Sequence, residues 1–140
     1  MEIRAFEQDA WDLLRRAAHD KRSPLRSLTL VTVSNGLPKA RMLILRSVEA
    51  ATPILELHTD IRSAKWQQLQ QQPQCALLGW HPRKRLQIRL TGLASLHHED
   101  TTSQAAWEGL GAATRLSYSA VMAPAHEVDS AQSGQKAYTA

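Results

Sequence analysis

Apolar residues recur along this chain at two different spacings, and the changes of spacing mark its elements. Over residues 5–21, Phe6, Ala10, Leu13, Leu14 and Ala17 keep helical spacing, with Trp11 beside them and Asp12, Arg15, Arg16 and Asp20 on the polar side. The pattern predicts a helix stopped by Pro24. Leu28 to Val33, Leu-Thr-Leu-Val-Thr-Val, has the alternation and branching of a strand. Asn35-Gly36 is a tight-turn signal and Pro38 opens a second strand, Ala40–Ser47, so a hairpin is expected. After a loop at 49–53, Ile54–Thr59 sets Leu55, Leu57 and Thr59 against Ile54, Glu56 and His58. A helix then opens near Asp60–Ser63 and runs to about Gln72, with Trp66 and Leu69 inward, glutamines outward and Pro73 as its stop. Ala76–Trp80 and Leu86–Leu96 read as strands around a turn at 81–84, Gly92 marking a bulge or bend. Glu99–Gly111 reads as a third helix.

About six hairpin-connected strands with three helices predict a mainly β (α+β) fold, an antiparallel barrel with peripheral helices. The expected organisation is a single domain over 1–122 with an N-terminal helix, followed by a small, polar, flexible tail over 123–140. A barrel this small has little room inside, so a large ligand belongs on its outside, for instance where two copies meet. Trp66, Trp80 and Trp107 are expected in the core. No apolar run among the 140 residues approaches the ~20 that a membrane span needs. Cys75 is the lone cysteine, which excludes an intrachain disulfide. It reads as an inert core thiol, and with no secretory pattern at the N-terminus the simplest expectation is a cytoplasmic protein. The net charge of +4 suits phosphorylated ligands, nucleic acid or neither, and does not choose among them.

The chemistry concentrates between Arg41 and Lys65. Thr59, Arg62, Ser63 and Lys65 gather at the start of the second helix, where hydroxyls, backbone N–H groups and two cations make a phosphate site. Arg41 or Arg46 from the neighbouring strand would raise the cation count to three or four and suit a dianionic phosphate ester. Each residue also has a plainer reading. Arg41 and Arg46 stand five apart, so in a regular strand they face opposite sides, as exposed arginines do. Ser63 and Lys65 alone are an ordinary helix start, and Gln87 alone is an exposed sheet residue. The His97-His98 pair suggests metal, but adjacent strand residues point apart and no third ligand is spaced nearby. The rival from another class is single-stranded nucleic-acid binding through the basic strand Arg83-Lys84-Arg85-Leu-Gln-Ile-Arg89. Phe6, Tyr118 and Tyr138 lie outside the barrel strands and the tryptophans read as buried, which counts against it.

Four segments in order resemble the pyridoxamine 5′-phosphate oxidase-related family, the FMN-binding split barrels. They are Arg41-Met-Leu-Ile-Leu-Arg46, His58-Thr-Asp-Ile-Arg-Ser-Ala-Lys65, Gln74-Cys-Ala-Leu-Leu-Gly-Trp80 and Arg85-Leu-Gln-Ile-Arg-Leu-Thr-Gly92, within residues 25–95. The resemblance implies a split barrel that forms a homodimer, with FMN at the subunit interface and a small-molecule substrate. It implies that Arg41 and Lys65 hold the FMN phosphate, aided by Thr59 and Ser63 and bordered by His58. Met42, Leu43 and Ile44 would meet the flavin ring, and Gln87 would hydrogen-bond the ring or ribityl chain. Arg46 would approach substrate or flavin, and Arg46 or Arg89 could lend positive charge to the ring. Gln132-Ser133 matches a pair reaching FMN from the partner subunit, and Arg115 and Ser119 match groups that contact substrate phosphate. Ala64 stands where the family often has Arg, with Arg62 as the substitute charge. The family's oxidases continue into a Trp- and Arg-rich C-terminal strand that covers the flavin, and nothing here matches it. The expectation is therefore an FMN-binding oxidoreductase of unidentified substrate rather than a pyridoxamine-phosphate oxidase. A non-catalytic dimer, haem and a deazaflavin remain open alternatives.

Overall fold

The computed structural model describes residues 3–60 and 62–109. They form α1 (Ile3–Ala17), β1 (Ser27–Ser34), β2 (Leu37–Glu49), β3 (Ile54–Leu57), α2 (Ala64–Gln71), β4 (Gln74–His81), β5 (Leu86–Leu93) and α3 (Thr101–Glu108). The chain divides into two units. Among the described residues, one takes 3–58 and Gln74–Leu93; the other takes Thr59–Pro73 and 94–109. Arg115, Ser119, Gln132, Ser133 and the tail lie outside the described residues. No helix among the described residues is long and apolar enough to cross a membrane.

The first unit holds one antiparallel sheet, in the order β3-β2-β1-β4-β5. Asn35 (φ 51°) and Gly36 (φ 77°) make the two-residue turn between β1 and β2, and Ser34 pairs with Leu37 across it. Both residues sit in the left-handed region, which matches the twist of a hairpin and suits Asn-Gly. The turn sets a ladder in which Leu28, Leu30 and Thr32 pair with Leu43, Arg41 and Lys39. In β1 those three are the buried residues. α1 ends at Ala17, well short of Pro24, and Arg26 Nη1 donates to the Ala18 carbonyl at 2.6 Å. Leu14, Ala17 and Ala18 join Leu25, Leu28, Leu45 and Ile88 in the core, with Trp11, Val48, Leu55, Leu57, Leu77 and Leu90 packed around them.

Several expectations need correction. Five strands, not six, occur among the described residues. Gly92 makes no bulge: it pairs in register with Cys75. The irregularity lies in β2 instead, where Leu45 pairs with Leu57 and Ser47 with Glu56, leaving Arg46 as the extra residue. β3 stops at Leu57 and β5 at Leu93, so His58, Thr59, His97 and His98 are in connecting segments rather than strands. Trp80 and Trp107 are not core residues, being 51% and 41% exposed, and Phe6 on α1 is exposed as well. Trp80 alternates with buried Gly79 and so falls on the outward face of β4.

The second unit carries α2 and α3. Ala94 N donates to the Pro73 carbonyl at 2.8 Å, and the rings of Trp66 and His98 meet edge to face at 6.1 Å. Asp100 caps α3 by accepting from Ser103 N at 2.8 Å, and Ser103 Oγ accepts from Asp100 N in return.

Two outcomes are expected. A Cβ at Gly79 would lie 2.9 Å from Leu28 Cδ2 and 3.0 Å from Leu25 Cδ2, and both leucines are fully buried. Gly79→Val should cost about 1–3 kcal/mol by urea denaturation; an unchanged midpoint would contradict this packing. Burial raises the Cys75 thiol above its ordinary value. Its thiolate should therefore form only at higher pH, so disulfide-reagent labelling should lag that of a free thiol through pH values near 8.5. Labelling as fast as a free thiol's would show that the thiol is not shielded.

Candidate functional site

Two separate groups of residues carry chemistry, one in each unit. In the sheet, Arg41 shares the inward face of β2 with Leu43 and Leu45, because these pair with the buried side of β1 or lie in the core. Its Nη1 donates to Thr32 Oγ1 at 2.7 Å and to the carbonyls of Leu30 and Lys39 at 3.3 Å. Thr32 is wholly buried, so the acceptor that aims Arg41 is itself fixed by the core. Partial burial lowers the Arg41 pKa, yet a guanidinium stays charged at any ordinary pH.

Met42 and Ile44 take the opposite face. Met42 pairs with Thr29, Thr29 with Leu78, and Leu78 with Arg89, which makes one continuous row across four strands. Trp80 pairs with Gln87 on the same side. Met42, Ile44, Leu78 and Trp80 are all exposed there. The sheet thus brings Met42, Ile44 and Gln87 to one surface and turns Arg41 and Leu43 to the other. Counting alternate positions from Arg41 to Arg46 fails because the bulge at Arg46 interrupts it. At the far end of β2, Glu56 accepts from Ser47 Oγ at 3.2 Å and bonds His58 Nε2 at 2.8 Å, which fixes His58 at the close of β3.

The second group surrounds the start of α2. Ser63 is its N-cap by backbone position (φ −73°, ψ 150°), but its side chain makes no cap bond to the helix. The Ser63 hydroxyl instead meets Thr59 Oγ1 at 3.2 Å. Ser63 and Lys65 are both buried, unusual for a lysine, and the first turn of α2 contains no acidic residue. Two hydroxyls, a buried ammonium and the positive end of an eight-residue helix suit an oxyanion, and a phosphate monoester in particular. Arg62 is tied to Asp60: its Nε lies 2.9 and 3.0 Å from the two carboxylate oxygens, and its Nη2 bonds Oδ2. Sequence reasoning misses Thr32 and Asp60. Nothing local marks a strand threonine as an anchor, whereas Asp-x-Arg just before a helix is a legible turn signal.

Comparison with known proteins agrees on the kind of domain. Residues 8–98 match the family described as pyridoxamine 5′-phosphate oxidase, FMN-binding domain. A pyridoxine/pyridoxamine 5′-phosphate oxidase of Microcystis aeruginosa is 36% identical over 80 residues, 56% of this chain. The chain spans only 36% of that oxidase's length. A pyridoxamine 5′-phosphate oxidase-related, FMN-binding protein of Nostoc punctiforme superposes with a TM-score of 0.67 at 33% identity, over 79% of this chain and 62% of that one. General Stress Protein 26 of Bacillus anthracis shares the fold, with a TM-score of 0.54 at 20% identity over 70% of each chain. The five-stranded antiparallel sheet with helices is of the FMN-binding split-barrel type, mainly β as expected. The chain belongs to the pyridoxamine 5′-phosphate oxidase family of FMN-binding domains.

Proposed function

We propose that this protein binds FMN and serves as a flavin-dependent oxidoreductase for a small-molecule substrate, as a cytoplasmic homodimer with its cofactor at the subunit interface. The observation that carries the reading is the donor set at Thr59, Ser63 and Lys65, the last two buried, found in a chain of this family. Lys65 supplies a full positive charge, the two hydroxyls donate to phosphate oxygens, and the first turn of α2 adds its dipole. Arg41, aimed by Thr32, is the second cation assigned to the phosphate, while His58 and Arg62 border it. Met42 and Ile44 shield the ring from water, Leu43 between them is assigned to it through its backbone groups, and Gln87 hydrogen-bonds the ring or the ribityl chain. Arg46 is assigned to the ring or the substrate. Gln132 and Ser133 are assigned to the cofactor, and Arg115 and Ser119 to the substrate. Bound FMN would supply two-electron transfer, so the side chains need only hold, orient and exclude water.

The dimer reading rests on the exposed apolar row. Met42, Leu78, Trp80 and Ile44 form a patch on one face of the sheet, of the kind that marks an interaction surface. Exposed Trp80 removes one objection to nucleic-acid binding, but the patch is mainly aliphatic and suits a second subunit better.

Titration with FMN, followed by quenching of flavin fluorescence, should show saturable binding in the micromolar range or tighter. No binding at high micromolar FMN would end the flavin reading. Lys65→Met, which keeps the apolar stem, should weaken FMN on the order of tenfold to a hundredfold. It should leave riboflavin, which lacks the phosphate, nearly unaffected. Thr32→Val should weaken FMN by a smaller factor, with Thr32→Ser restoring it. Leu78→Glu should convert a dimer to a monomer in sedimentation velocity; a monomeric wild-type protein in the presence of FMN would refute the dimer.

A further inference from the structure

The turn ahead of α2 contains a carboxylate where an anion site would be expected to exclude one. The Asp60 side chain is only 8% exposed, and it lies three residues before Ser63 and five before Lys65. An unpaired buried carboxylate there would repel a phosphate dianion. Arg62 covers it. Asp60 Oδ1 accepts from the Arg62 backbone N at 2.8 Å, and both carboxylate oxygens accept from the guanidinium. The Asp60 carbonyl accepts from Ser63 N at 3.0 Å. One residue thus holds the backbone at both Arg62 and Ser63. The fork-to-fork pairing is the strong form of an Arg–carboxylate contact. The Arg62 hydrogen bond outweighs the effect of burial and holds the Asp60 carboxyl below its usual range, with the Lys65 charge contributing, so the pair is ionised at neutral pH.

We propose that Asp60 and Arg62 form a positioning clamp for the phosphate end of the ligand, with Arg62 acting as the counterion of Asp60 rather than as a phosphate ligand. This rests on the flavin reading above and deepens it. The clamp fixes the turn from which the Thr59 and Ser63 hydroxyls face each other, 3.2 Å apart, instead of the Ser63 hydroxyl folding back onto its own helix. It also pairs the negative charge of Asp60 with the guanidinium. Arg62 then contributes by neutralising Asp60 rather than by direct contact with the phosphate.

A double-mutant cycle with FMN and riboflavin separates the two roles. Under the clamp, Arg62→Gln exposes the phosphate to an uncompensated buried carboxylate and should weaken FMN on the order of tenfold or more. The double variant D60N/R62Q removes that charge as well and should recover most of the loss. Riboflavin affinity should change little in D60N, R62Q and the double variant. If Arg62 binds phosphate directly, the double variant will be no better than R62Q, and the clamp is overturned. A parallel loss of FMN and riboflavin would also overturn it, by showing a general structural role. Wild-type protein that binds neither flavin would refute the flavin reading itself, and the clamp with it.

Discussion

The register of the β1–β2 hairpin is the constraint on which the sheet group of candidate residues depends. Asn35 and Gly36 adopt positive φ angles and close a two-residue turn, which places Leu30 opposite Arg41 and Thr29 opposite Met42. A slip of one residue would exchange the two faces. Arg41 would then lose Thr32, and Met42 would enter a core closed by Leu28 and Leu45. Such a slip is costly, since it would turn the fully buried Leu45 toward water. The turn selects the register and the core enforces it.

Order in the second group comes from local pairing. Between Thr59 and Lys65 the chain passes from the sheet into α2, and its polar groups largely satisfy one another: Thr59 with Ser63, Asp60 with Arg62. Side chains that already bond one another have less freedom to lose when a ligand arrives, which lowers the entropic cost of binding. The segment is also selective by charge. Asp60 is paired with Arg62, and the buried Lys65 and the positive end of α2 favour an anion over a neutral ligand.

Family membership and site chemistry answer different questions. Sequence and fold comparison assign the chain to a family of FMN-binding domains, while the likeness covers only part of its longer relatives. A fold of this type accommodates more than one chemistry, so activity has to be argued from side chains. The features that bear on it here are a buried lysine beside two hydroxyls, an arginine held by a core threonine, and an apolar sheet face left in water.

The elements themselves were legible in the sequence where their signals are local. Leu28–Val33, the Asn35-Gly36 turn and the helix between Ser63 and Gln72 appear nearly where the residue pattern puts them, because φ preference, branching and capping act within a few residues. The four family segments were legible for the same reason. The sequence could not reveal the bulge at Arg46, the regular pairing of Gly92 or the exposure of Trp80 and Trp107, since each depends on what lies opposite. Asp60 and Arg62 are near neighbours, yet two residues that can each attract a phosphate or each other look alike on paper. Residue types decided what each segment could become, and only three-dimensional pairing decided which charge was satisfied and which face was left to solvent.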